Sequence, residues 1–249
     1  MKIVVIGGSG FIGSKLVKEL RELNHDVIAA SSGVGANAIN AGKLIELLKD
    51  TQVVIDVANA PASEDKAMIE FFQTSGHNLL TAEAIAGVKH HIILSAVGIE
   101  QMQGSGFFRA KKVQETLVKD SEIPYTILQA TQFFEIVRGI AQAATIGGEI
   151  HISNAKIQPV ASDDVASAII HISLGAPLNI TLQIAGPDRL QLDELIQIFL
   201  DETNDPRKIV IDHRALYLGV EIDSQSLIPK ENALIGKTRF LDWLKKQDQ

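Results

Sequence analysis

Apolar residues along this chain come in short blocks, and between the blocks they recur at helical spacing. Met1–Ile6 is an apolar run of strand length, and Ser14–Leu23 is amphipathic with a helical period. The alternation predicts further strands at Asp26–Ala30, Gln52–Val57, His91–Ser95 and Tyr125–Gln129. It predicts helices at Lys43–Lys49, Glu64–Ala86 and Phe108–Asp120, the long one interrupted near Ser75-Gly76. Ser31–Asn40 is small and polar and is expected to be a loop, with at most a vestigial strand. Strands separated by helices imply an α/β fold, a doubly wound parallel (Rossmann-type) sheet with right-handed crossovers.

The second half is less regular. Helices are expected at Gln132–Ala144, Leu192–Asp201 and Gly236–Lys246, and short strands at Glu149–Ile152, Ile157–Val160 and Asn179–Ala185, with Lys208–Asp212 extended. Ser162-Asp163-Asp164 reads as the cap of a helix running to Ser173. No repeat or low-complexity linker interrupts the chain. Residues 1–249 are therefore read as one α/β domain, with parts of 133–160 and 187–249 forming a small substrate lobe.

The first strand runs directly into Gly7-Gly8-Ser9-Gly10-Phe11-Ile12-Gly13, and a helix follows. The spacing, Gly7-x-x-Gly10-x-x-Gly13, differs slightly from G-x-G-x-x-G, but it meets the same physical demand. One glycine lets the backbone turn tightly, and another lets helix and strand pack closely. The free N–H groups at the helix start then face an anion. Strand, glycine turn and helix together point to a dinucleotide diphosphate. The plainer alternative is a tight turn with no ligand.

Composition narrows the choice of partners. Hydrophobic residues make up 46% of 249 residues, enough for a large core. No cysteine is present, so a disulfide framework and a thiol nucleophile are excluded. The formal net charge of −7 argues against nucleic acid and against an anionic lipid surface. The chain opens on a strand rather than a leader pattern, and no apolar run is long enough to span a bilayer. A cytoplasmic protein acting on a small-molecule substrate is the expectation. The seven histidines show no metal-ligand spacing, and no metal site is expected. His90 and His91 are adjacent on a strand, so their side chains should diverge.

NAD-binding relatives of such turns carry an acidic residue about twenty positions on, which bonds the ribose diol. Here the matching stretch is Ala29-Ala30-Ser31-Ser32-Gly33, with no carboxylate. Ser31 and Ser32 are candidates to bond a 2′-phosphate, so NADP is favoured, with NAD possible. No arginine lies nearby to strengthen that preference.

Four stretches occur in order: Gly7–Gly13, Ser95-Ala96-Val97-Gly98, Phe107-Phe108-Arg109-Ala110-Lys111, and Pro124-Tyr125-Thr126-Ile127-Leu128-Gln129-Ala130-Thr131-Gln132-Phe133-Phe134. Asp163-Asp164-Val165-Ala166 and Ala185-Gly186-Pro187 fit the same pattern. In this the chain resembles the atypical short-chain dehydrogenase/reductases, specifically the NmrA-like NAD(P)-binding proteins. The resemblance implies cofactor contacts at Gly7, Ser9, Gly10, Phe11, Ile12 and Gly13, at Ala58 and Asn59, and at Ala130 and Thr131. It places Gln132 and Phe133 beside the substrate. It assigns catalytic positions to Ser95 and to Lys111, which would hold the nicotinamide ribose.

The superfamily also places a tyrosine four residues before that lysine, to move a proton at the substrate oxygen. Here the position is Phe107, and the shifted frame Phe108-x-x-x-Lys112 also begins with phenylalanine. A ketone gathers developing charge on one oxygen and needs a positioned acid. A quinone or other conjugated acceptor spreads the charge and depends more on alignment. The implied activity is therefore NAD(P)H-dependent reduction of a conjugated acceptor such as a quinone. The alternative is a non-catalytic NAD(P)-binding redox sensor, since the resembled group contains both. Gln101–Gly106 reads either as a lid or as an ordinary connection.

Overall fold

The computed structural model describes residues 1–31, 33, 41–61 and 64–247. The first half alternates β1 (Lys2–Ile6), α1 (Phe11–Glu22), β2 (Asp26–Ala30), α2 (Ala41–Leu48), β3 (Val53–Asp56), α3 (Asp65–Ala86), β4 (His90–Ala96), α4 (Gly106–Asp120) and β5 (Tyr125–Ala130). There follow a 3₁₀ turn (Phe134–Ile136), α5 (Val137–Ala143), β6 (Thr145–Ile146), β7 (Glu149–Ile152), β8 (Lys156–Ile157), α6 (Ser162–Ser173) and β9 (Thr181–Ala185). The chain ends with β10 (Leu190–Gln191), α7 (Leu192–Glu202), β11 (Lys208–Ile211), β12 (Leu234–Ile235) and α8 (Phe240–Gln247).

Seven strands form one parallel sheet in the order β12-β9-β5-β4-β3-β1-β2, the expected Rossmann-type arrangement. Strand β1 has β2 on one side and β3 on the other. The winding direction reverses there, and open α/β sheets bind ligands at such a switch point. Ile6 pairs with both Ala30 and Asp56, so the three strands end level. Their continuations, Gly7, Ser31 and Val57, therefore leave the sheet at one edge.

The chain divides into two compact units. The first comprises Met1–Ser95, Arg109–Leu128 and Ala166–Leu182. Val4, Ile6, Leu48, Val54 and Leu79 form one of its apolar clusters, and Leu80, Ile93, Val118 and Ile127 another. The second comprises Ala96–Phe108, Gln129–Val165 and Gln183–Gln249. It contains two small sheets, antiparallel β10-β8 and mixed β11-β7-β6. Its core gathers Ile150, Ile157, Leu195, Ile196 and an aromatic group in which Phe134 lies 5.2 Å from Phe240 and 5.6 Å from Trp243.

Several local expectations are corrected. Helix α3 runs unbroken through Ser75-Gly76. The Ser75 hydroxyl donates to the Phe71 carbonyl at 2.7 Å, and a Cβ on Gly76 would come within 3.1 Å of Leu117 Cδ1. The glycine thus permits close approach of α3 and α4 rather than ending a helix. Gln132 and Phe133 are not helical: Phe133 bridges to Val160, and Val160 N–H donates to Gln132 O at 2.8 Å. Strand β8 stops at Ile157, before Pro159, which has no N–H for a ladder. Ser162, Asp163 and Asp164 do not precede α6 but form its first turn. There the carboxylates favour the positive end of the helix dipole. The Ser162 hydroxyl donates to Glu135, and Asp164 accepts from Thr238 N–H at 2.9 Å. The last helix starts at Phe240, not Gly236, because Leu234–Ile235 is spent on an unforeseen strand pairing with β9.

Candidate functional site

The glycine turn is held from two sides within the first unit. Gly7 and Gly8 N–H both donate to Ala30 O, at 2.9 and 3.0 Å, and Gly10 N–H donates to Gly7 O at 2.8 Å. Gly7 sits at φ +80°, and a Cβ there would lie 3.1 Å from Val57 C and from Ala58 N and Cα. Gly13 is tighter still: a Cβ would meet Gly7 O at 2.0 Å. No Cβ fits at Gly13, and at Gly7 the positive φ and the close backbone make one strained. Ser9, Gly10 and Phe11 are exposed, whereas Ile12 and Gly13 are buried. No side chain caps α1, and no acid stands in its first turn. A helix start without a side-chain cap is the kind of end at which anions bind. Exposed Ser31 follows β2 at the same edge, while Ser32 lies outside the described residues.

Lys111 is almost wholly buried, at 4% exposure, although it stands beside a half-exposed lysine on α4. Its ammonium donates to Gln114 Oε1 at 2.9 Å, Leu94 O at 3.1 Å and Ala58 O at 3.3 Å, and lies 4.7 Å from the centre of the Phe72 ring. Burial pulls its pKa down to about 8, against the opposing pull of Asp56 and Glu115. Asp56, also buried, accepts from Ala58 N–H at 2.9 Å and from Gln114 Nε2 at 2.8 Å. Ser95, near the end of β4, is buried and its hydroxyl has no partner among the described residues. Ala58 is buried and Asn59 exposed.

Sequence reasoning missed Asp56 and Gln114. The available signals were a carboxylate closing the all-apolar strand Val53–Asp56, and an amide one helical turn beyond Lys111. The histidines do diverge: His90 Nε2 bonds Thr126 Oγ1 at 2.9 Å, whereas His91 Nδ1 faces both carboxylate oxygens of Glu83 at 2.9 Å. Burial drives the His90 pKa down to about 4.

Ala130, Thr131, Gln132 and Phe133 belong to the second unit. Ala130 O accepts from Val97 N–H at 2.8 Å. Thr131 spends its hydroxyl on Gln158 O at 2.6 Å and its N–H on Ile184 O at 3.0 Å. Gln132 keeps a buried Oε1 with no partner among the described residues. Phe107, also in this unit, is 37% exposed. The Gln101–Gly106 segment is anchored by Met102, whose side chain is 1% exposed. Among the described residues no cluster of histidine, aspartate or glutamate could hold a metal, and no helix is long and apolar enough to cross a membrane.

The family described as NAD(P)H-binding matches residues 7–173, which include the whole glycine turn and Lys111. The chain belongs to that NAD(P)H-binding family. The matched region contains the turn in which a Cβ at Gly13 would meet Gly7 O. A photosystem II assembly factor, Ycf39, of Synechocystis is 22% identical over 80% of this chain and 66% of its own length. The chloroplastic divinyl chlorophyllide a 8-vinyl-reductase of Cucumis sativus is 28% identical over 75% of this chain and 53% of its own length. The matched region thus spans between about half and two thirds of these relatives. Among solved structures, an NADP complex of dTDP-4-dehydrorhamnose reductase from Bacillus anthracis superposes with a TM-score of 0.74 at 13% identity, over 98% of this chain and 97% of the other. At that identity the likeness concerns the fold.

Proposed function

We propose that this chain is an NmrA-like reductase of the atypical short-chain dehydrogenase/reductase kind, passing hydride from NADPH to a conjugated acceptor such as a quinone. The observation that carries the reading is Phe107, four residues before the buried Lys111, in a chain that keeps both the glycine cradle and Ser95. Bound reduced nicotinamide would supply the hydride. The remaining work falls to the protein. Backbone N–H groups at the start of α1, rather than those of Gly7, Gly8 and Gly10, which bond carbonyls of the chain, hold the diphosphate. Ser31 offers a hydroxyl to the adenosine ribose, where no carboxylate repels a 2′-phosphate. The ammonium of Lys111 has three donors and three acceptors from its own chain, so a ribose hydroxyl would share one of those N–H groups with its present acceptor. The Ser95 hydroxyl, without a partner among the described residues, can donate to an acceptor oxygen. Gln132 and Phe133 are our candidates for acceptor contact.

No phenol stands at the tyrosine position to deliver a proton to an isolated ketone. An acceptor that delocalises its charge removes that need. The vinyl-reductases among the relatives bear, in their name, a carbon–carbon double bond as the reduced group. Purified protein should oxidise NADPH with a panel of quinones and leave aliphatic ketones untouched. Tight NADPH binding without oxidation by any quinone would overturn the reading. Phe107→Tyr should add ketone reduction, read as turnover with a cyclic ketone series. If the variant gains no such activity, more than the hydroxyl has been lost from the site.

One observation favours a second reading, that of a non-catalytic NAD(P)-binding regulator. Ycf39, matched over 80% of this chain, is by name an assembly factor. On that reading, partners captured from a lysate change when NADPH is added; identical partners with and without the dinucleotide would remove it.

A further inference from the structure

Four hydrogen bonds close a ring around Ala58. Its N–H donates to Asp56 Oδ1 at 2.9 Å. Asp56 Oδ2 accepts from Gln114 Nε2 at 2.8 Å, and Gln114 Oε1 accepts from the Lys111 ammonium at 2.9 Å. Lys111 completes the circuit on Ala58 O at 3.3 Å. Every side chain in the circuit is buried. We propose that Asp56 and Gln114 are positioning residues for dinucleotide binding: through this ring they fix Ala58, the backbone against which the Gly7 turn is seated.

The chemistry of the ring gives it a direction. A carboxylate only accepts, and an ammonium only donates. The group between them must do both, and a primary amide does. Gln114 is one turn beyond Lys111 on α4, so a single helix face carries both. The carboxylate on one side and the ammonium on the other then dictate which way the amide points. Both peptide groups flanking Ala58 are held, one by its N–H and one by its C=O. Gly7 lies so close that a Cβ would come within 3.1 Å of Val57 C and of Ala58 N and Cα. Where Ala58 stands therefore limits where Gly7 can turn. The opposite side of the turn is already tied to Ala30 O.

A purely structural alternative exists, since buried Lys111 and Asp56 need partners in any case. The two are separable by exchanging carboxylate and amide. Asp56→Asn alone sets an amide N–H₂ against the N–H₂ of Gln114. Gln114→Glu alone sets two carboxylates face to face. The double variant Asp56→Asn/Gln114→Glu restores every bond. The amide oxygen introduced at position 56 accepts from Ala58 N–H, and its N–H₂ donates to the carboxylate introduced at position 114. That carboxylate in turn accepts from Lys111.

The inference rests on the dinucleotide reading of the glycine turn and is independent of hydride transfer. The experiment is titration of the full chain with NADPH and with NADH, read by protein fluorescence well below each variant's melting temperature. Each single variant is expected to raise Kd at least about tenfold for both dinucleotides, and the double to return within about threefold of wild type. Melting temperatures are recorded beside each titration. Should a single variant not fold, the double decides: near-wild-type affinity supports the ring, and a tenfold loss overturns it. Folded single variants with unaltered Kd overturn the ring alone. Failure of the wild-type chain to bind either dinucleotide would instead sink the cofactor reading on which the ring depends.

Discussion

Glu83→Ala is expected to lower the unfolding free energy by about 3–5 kcal/mol, the usual result of removing one partner of a buried charge pair. Glu83 is wholly buried and His91 is 2% exposed, so no solvent replaces the lost partner. The imidazole Nδ1 faces both carboxylate oxygens at 2.9 Å. Burial works against the charged imidazole, but the Glu83 carboxylate outweighs it and holds the His91 pKa above the usual histidine range. Burial also lifts the Glu83 pKa above that of an ordinary carboxyl, with His91 opposing. Both groups therefore hold protons more tightly in the folded chain than in the unfolded one. Their contribution is full below the unfolded pKa values of 4.5 and 6.5 and is lost as pH rises through the folded ones. Urea denaturation at several pH values below 8 should show wild-type stability falling as pH increases, and Glu83→Ala should flatten that slope. A variant that loses less than about 1 kcal/mol would mean the pair is not held as an ion pair.

Lys111 works in the opposite direction at higher pH. Its pKa, lowered by burial from 10.5 to about 8, means that the unfolded chain binds more protons across that interval. Burying the ammonium therefore opposes folding fully below about pH 8, and the opposition fades as pH rises towards 10.5. By linkage the effect is on the order of 3 kcal/mol. Lys111→Met should abolish the alkaline rise, measured as the difference in urea midpoint between pH 8 and pH 10. An unchanged rise in the variant would assign it to another group.

What was legible in the sequence is what local sterics and periodicity decide. The β1–turn–α1 unit could be read because apolar strand, glycines and helix are contiguous, and their demands on φ and on Cβ are met within thirteen residues. The parallel sheet was legible for a similar reason, since its strands are short apolar blocks between helical periods. Gly76 misled because its reason is tertiary: it makes room for Leu117 on another helix. Asp163 and Asp164 were placed one turn too early, as helix boundaries are the least local of the signals. Lys111 could be named from the resemblance, but its burial rests on partners that folding brings to it. Gln114 lies one turn away on the same helix and was within reach of spacing, but the carbonyls of Ala58 and Leu94 come from distant stretches, of which spacing along the chain carries no trace. Thr131 matched a family pattern, yet the fold commits its hydroxyl to Gln158 O.

Gly13→Ala should abolish useful dinucleotide affinity, raising Kd for NADPH by about a hundredfold or more, equivalent to roughly 3 kcal/mol. A Cβ at this position is set by the backbone and has no rotamer with which to escape. It would stand 2.0 Å from Gly7 O and 2.7 Å from Gly7 C and Gly8 Cα, all of them backbone atoms. Relief requires the turn to open. Gly7 O is also the acceptor for Gly10 N–H at 2.8 Å, so opening breaks the bond that seats the start of α1. The N–H groups meant for the diphosphate then lose their common aim. Two companions make the result specific. Gly10→Ala meets only Gly7 O, at 3.1 Å, and should cost a few-fold at most. Gly139→Ala, inside α5 with nothing within 4 Å, should leave Kd unchanged and add about 0.5–1 kcal/mol of stability. If Gly13→Ala bound NADPH as tightly as Gly139→Ala, the diphosphate would have to be held somewhere other than where β1 passes into α1.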